Sequence, residues 1–106
     1  MATLTIRSIK CIEETSGWGC DDVYIEIDNV GFWGPEDMCD DDYKRIDRPH
    51  DFKQSATVTV WEYDTGSSHD HIGTYRAIPQ HSSQGEIPYH FHGDGSHYVL
   101  WTEVKV

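Results

Sequence analysis

The sequence predicts an all-β fold, an antiparallel β-sandwich of about eight short strands. Three observations predict it. Apolar and polar residues alternate with a period of two along several stretches, as half-buried strands require. Turn formers recur roughly every ten residues. Almost nothing in the 106 residues repeats at helical spacing. A chain of this length suits one domain, residues 1–106, burying somewhat over ~60% of the surface its unfolded form exposes.

Leu4 to Cys11 opens with an alternation that slips once. Leu4 and Ile6 share a face while Ile9 and Cys11 take the opposite parity, so a bulge is expected near Arg7-Ser8. The next segment, to Asp22, is rich in turn formers and acids and reads as a loop, with Trp18 between Gly17 and Gly19 at its tip. Val23 to Asp28 is a strand with Val23, Ile25 and Ile27 inward. Asn29 to Phe52 has little period-two pattern and reads mainly as loop, with a short strand around Tyr43 to Ile46. Within it, P-E-D-M-C-D-D-D-Y-K-R reads as one helical turn or a short exposed excursion after Pro35. Ser55 to Tyr63 is the clearest strand, with Ala56, Val58 and Val60 pointing one way. Ile72 to Ile78 follows, ended by Pro79. A polar link then leads to Glu86–His92, where Pro88 marks an edge or bulge. Residues 92–96 form a turn, and Tyr98 to Val106 closes the chain with Tyr98, Leu100, Val104 and Val106 on one parity.

The charge balance narrows the function. Nineteen acidic residues face eight basic ones, a formal charge of −11, and that repulsion opposes contact with DNA, RNA or a bare anionic membrane. Acids gathered on loops and neutralised by a divalent cation would reverse this at one spot. No apolar run approaches ~18 residues, and Met1-Ala2-Thr3 leads straight into a strand, so neither a transmembrane helix nor a secretory signal is expected. Cytoplasmic and secreted settings both stay open. Cys11, Cys20 and Cys39 fit no zinc pattern; Cys11 with Cys20, Cys20 with Cys39, or three free thiols are all compatible with the spacing.

The informative stretch is Val58 to Tyr75, V-T-V-W-E-Y-D-T-G-S-S-H-D-H-I-G-T-Y. Glu62 and Asp64, two apart on an extended chain, project to one side and repel each other unless a cation lies between them. Asp70 returns across the Gly66-Ser67-Ser68 hinge. Three carboxylates so placed can begin the cage of 6–8 oxygens that Ca²⁺ takes at about 2.3–2.6 Å.

V-W-E-Y-D-T-G-S-S-H-D-H-I-G resembles the third calcium-binding loop of C2 domains. In that pattern a strand leads to Asp, any residue, Asp, five residues, Asp, then a hydrophobic residue and Gly. Glu62 stands in for the first Asp, Asp64 and Asp70 match the others, and Ile72-Gly73 closes the loop. D-D-V-Y-I-E-I is similar to the strand after the family's first acidic loop, with Asp22 on a ligand aspartate and Tyr24 on the strand tyrosine. The likeness covers roughly residues 4–28 and 55–78. It departs at Glu62, one methylene longer than Asp, and at Ser16, where the family has a further ligand; Glu13, Glu14 and Asp21 are the available substitutes. The resemblance implies a calcium-binding module without catalysis, holding one or two Ca²⁺ ions. It would dock its loaded loops onto phospholipid or another surface, the alternative being a carbohydrate-binding, cell-surface or structural module. Trp18 would insert into a bilayer interface or stack on a sugar ring, unless it packs under its own loop.

Other chemistry is weaker. His69 and His71 bracket Asp70, and His90 and His92 share a face of one strand; such pairs chelate Zn²⁺, Cu²⁺ or Ni²⁺ or serve as ordinary surface residues. Asp40-Asp41-Asp42 reads as a solvated face and fails the EF-hand spacing. No G-x-S-x-G, H-E-x-x-H or P-loop occurs, and no enzyme is predicted.

Overall fold

The computed structural model describes residues 1–66 and 68–106. Ser67, the middle of the expected hinge, lies outside the described residues. Eight strands form two antiparallel four-stranded sheets. β1 (Ala2–Glu13), β4 (Tyr43–Phe52), β7 (Glu86–Phe91) and β8 (His97–Lys105) build one sheet in the order β4-β1-β8-β7. β2 (Asp21–Ile27), β3 (Val30–Met38), β5 (Ala56–Glu62) and β6 (Asp70–Ala77) build the other in the order β3-β2-β5-β6. Among the described residues, two 3-10 turns, Pro79–Gln84 and Gly93–Gly95, complete the regular structure. No helix among the described residues is long and apolar enough to cross a membrane.

The inward faces are those that the alternation selects. Leu4, Ile6, Ile9 and Cys11 of β1, with Tyr98 and Leu100 of β8, meet Val23 and Ile25 of β2 and Val58 and Val60 of β5, all fully buried. The parity slip in β1 is a bulge: the register shifts between Ile6 and Ser8 against both neighbours. Val106 departs from the expected face and is exposed, because the β1 ladder ends with Thr3 opposite Lys105.

One expectation fails. Asn29 to Phe52 is not mainly loop with a strand at Tyr43 to Ile46; it is two long strands, and the Pro35 segment is neither a helical turn nor an excursion. The reason is position. β3 and β4 are edge strands of opposite sheets and bury only Trp33, Met38 and Phe52. Ladder hydrogen bonds, which leave no mark in hydropathy, hold them in place. Pro35, Pro49 and Pro88 all sit on edge strands, where a missing N–H is tolerated.

Antiparallel order places four connections at one end: residues 14–20, 39–42, 63–69 and 92–96. They carry six acidic residues (Glu14, Asp40, Asp41, Asp42, Asp64 and Asp94) and no Lys or Arg.

Candidate functional site

The strand β5 ends at Glu62 and β6 begins at Asp70, its ladder partner, so the connection between them starts and finishes on a carboxylate. Oxygens of Glu62, Asp64 and Asp70 lie within 4.8 Å of one another, all three side chains half-buried. They line a cavity of about 320 Å³ shared with Asp21, Asp22, Ser16 and Trp18. Burial raises the pKa of Glu62 to about 7 against the opposing hydrogen bond from the Asp22 backbone, and the charges of Asp21, Asp70 and Asp64 add to the rise. Asp70 is raised by burial and then by the facing charge of Asp94.

The loop before β2 forms the other wall. Asp22 is exposed, and its carbonyl accepts from the Tyr63 N–H, which joins this wall to the β5–β6 connection. Asp21 plays a different part from the ligand expected of it. It is buried, and its carboxylate accepts from the Thr15 N–H at 2.9 Å, the Thr15 hydroxyl at 2.5 Å and the Tyr98 hydroxyl at 2.5 Å. Glu14 also points elsewhere: it accepts from the Asp40 N–H at 2.9 Å while Asp40 accepts from the Glu14 N–H. Asp40 to Asp42 are therefore more than a solvated face, since Asp42 accepts from the Cys39 N–H as well. Trp18 does not pack under its loop. Its relative exposure is 102%, and it stands free at the loop tip.

The Cys20–Cys39 pairing is the one formed, and it ties the first loop to the β3–β4 connection. Cys11 is a buried free thiol, its pKa pushed up to about 11 by burial.

No family model and no curated protein matches the sequence. Among solved structures, one described as the structure of a C2 domain superposes over the full length of both chains, with a TM-score of 0.64 at 12% identity. The fold is that of a C2 domain.

Two members of this C2 fold's loop end escape a reading of the sequence. Asp94, in the turn between β7 and β8, reaches the acidic cluster: its side chain accepts from the Ser16 hydroxyl at 3.2 Å and its carbonyl from the Ser16 N–H at 3.0 Å. A Cβ on Gly93 would collide with the carbonyl oxygens of His71 and Ile72, so that glycine lets the turn press on β6. The signal was the D-G pair, which turn chemistry alone explains equally well. The second is His97 at the start of β8. It joins His90 and His92, with His90 Nδ1 2.9 Å from His97 Nε2. Burial and the neighbouring imidazoles push the His97 pKa down.

Proposed function

We propose that the protein is a calcium-binding module that docks onto anionic phospholipid surfaces through its loaded loops. The observation that carries this reading is the Glu62–Asp64–Asp70 cluster beside the fully exposed Trp18. The donors fit the ion. Oxygens on opposite sides of a Ca²⁺ at about 2.3–2.6 Å stand roughly 5 Å apart, and the cluster's oxygens all lie within 4.8 Å of one another. All donors are hard carboxylate oxygens, with no Lys or Arg in the four loops to compete for them. Glu62, Asp64 and Asp70 would hold the ion, with Asp22 at the rim and loop carbonyls or water completing the shell. Asp21 serves to fix the wall through Thr15 and Tyr98.

Bound Ca²⁺ supplies positive charge and open coordination positions for phosphate oxygens. The chain's own residues do the rest. The cluster repels an anionic surface while empty of cation, and Trp18 adds an amphipathic ring that settles at the headgroup level. Co-sedimentation with phosphatidylserine vesicles in millimolar Ca²⁺ and in EDTA tests this. Binding in Ca²⁺ alone, weakened in Trp18→Ala and lost in Asp64→Asn, is the expected result. Calcium-dependent capture by glycans with no vesicle binding would overturn the lipid reading.

A further inference from the structure

We propose that His90 and His97, with His92 beside them, form a second metal site, selective for divalent transition ions such as Zn²⁺, Cu²⁺ and Ni²⁺. The His90 and His97 imidazoles meet where β7 ends and β8 begins, and the His92 ring lies against His97 on its other side. His90 and His92 lie on the same parity of β7 and its continuation, both exposed, and His97 comes back beside them after the 93–96 turn. The His90 and His97 ring centroids are 5.2 Å apart and those of His92 and His97 are 4.3 Å apart. Two imidazoles on one tetrahedral ion, with metal–nitrogen bonds of about 2.0–2.1 Å, place their centroids roughly 5 Å apart. The His90–His97 separation therefore suits two ligands of a single ion.

The nearest nitrogens, 2.9 Å apart, need to open by only a few tenths of an ångström to share one metal. Without a metal this contact pairs one ring's N–H with the other's lone pair. Imidazole donors prefer Zn²⁺, Cu²⁺ and Ni²⁺, whereas the carboxylate cluster suits Ca²⁺, so the chemistry of the two sites separates by donor type. Glu13, opposite His97 in the β1–β8 ladder, supplies a nearby carboxylate to orient a ring or complete the shell. No cysteine competes, because Cys20 and Cys39 are joined and Cys11 is buried.

Calorimetric titration of the metal-stripped full chain with Zn²⁺, in excess Ca²⁺, should give one site per chain. His97→Gln should weaken it at least tenfold, while Asp64→Asn should leave it unchanged. Cu²⁺ loading followed by electron paramagnetic resonance should show nitrogen hyperfine splitting that the double variant His90→Gln/His97→Gln loses. Both variants alter exposed or half-exposed side chains, and a melting curve verifies that they fold. Absence of a Zn²⁺ isotherm, or one unmoved by His97→Gln in folded protein, would overturn the assignment. So would loss of Zn²⁺ binding in Asp64→Asn, which would place the ion in the carboxylate cluster.

Discussion

Asp21 and Tyr98 stand 77 residues apart in the chain, yet the tyrosine hydroxyl donates to the aspartate at 2.5 Å inside the protein. Burial keeps that hydroxyl protonated, and with it the hydrogen bond. Tyr98→Phe removes the donor and leaves a buried carboxylate with one partner fewer, so a loss of about 1–3 kcal/mol in urea unfolding is expected. A change below experimental error would show that Asp21 relaxes toward solvent. Glu62 gives a second residue-scale prediction. Its carboxyl holds a proton up to about pH 7 in the fold but loses it near 4.5 when unfolded. The folded state then binds more protons between those values, and stability contributed by this group falls as pH climbs through that window. In EDTA, wild type should lose melting temperature relative to Glu62→Gln between pH 4.5 and 7. Saturating Ca²⁺ should erase the difference, and parallel pH profiles without it would contradict the assigned burial.

At the scale of elements, the central strands are legible because they bury one face completely. Val23, Ile25 and Ile27 in β2 and Ala56, Val58 and Val60 in β5 alternate without a fault. β3 and β4 were hidden, since a strand such as Val30–Met38 with two buried side chains has almost no hydrophobic period to detect. The acidic connection was legible for a local reason: Glu62, Asp64 and Asp70 lie within nine residues of one another. Asp94 and His97 reach their clusters only through sheet pairing, which spacing along the chain does not encode. The same holds for Cys20 and Cys39, whose pairing depends on β2 and β3 lying side by side. Their bridge, 19 residues apart in sequence, joins two of the four connections at the acidic end. Cys20→Ser/Cys39→Ser should lower stability by about 3 kcal/mol, read by denaturant unfolding, with Ca²⁺ affinity falling as the first wall loosens. Unchanged affinity would mean that the Thr15–Asp21–Tyr98 hydrogen bonds suffice to hold that wall.

Over the whole molecule, 42 × 25 × 19 Å in extent, six acids and no Lys or Arg gather in the four connections at one end. The ion pairs among the described residues, Arg7 with Asp47 and Glu103, Lys44 with Glu36 and Arg45 with Asp47, run along the strands. None lies in the four connections at the acidic end. An ion that binds the folded state alone should therefore raise stability by relieving this concentration of charge, by about 2.7 kcal/mol at a hundredfold excess over Kd. That corresponds to a rise on the order of 10 °C in melting temperature for a domain of this size. Identical melts in EDTA and in Ca²⁺ would sink the calcium reading. The ladder that sets Thr3 against Lys105 brings both chain ends out at the opposite pole. A handle grafted on either one, whether a fluorophore, a bead or a neighbouring module, therefore leaves Trp18 facing away from its attachment and free to meet a surface head-on.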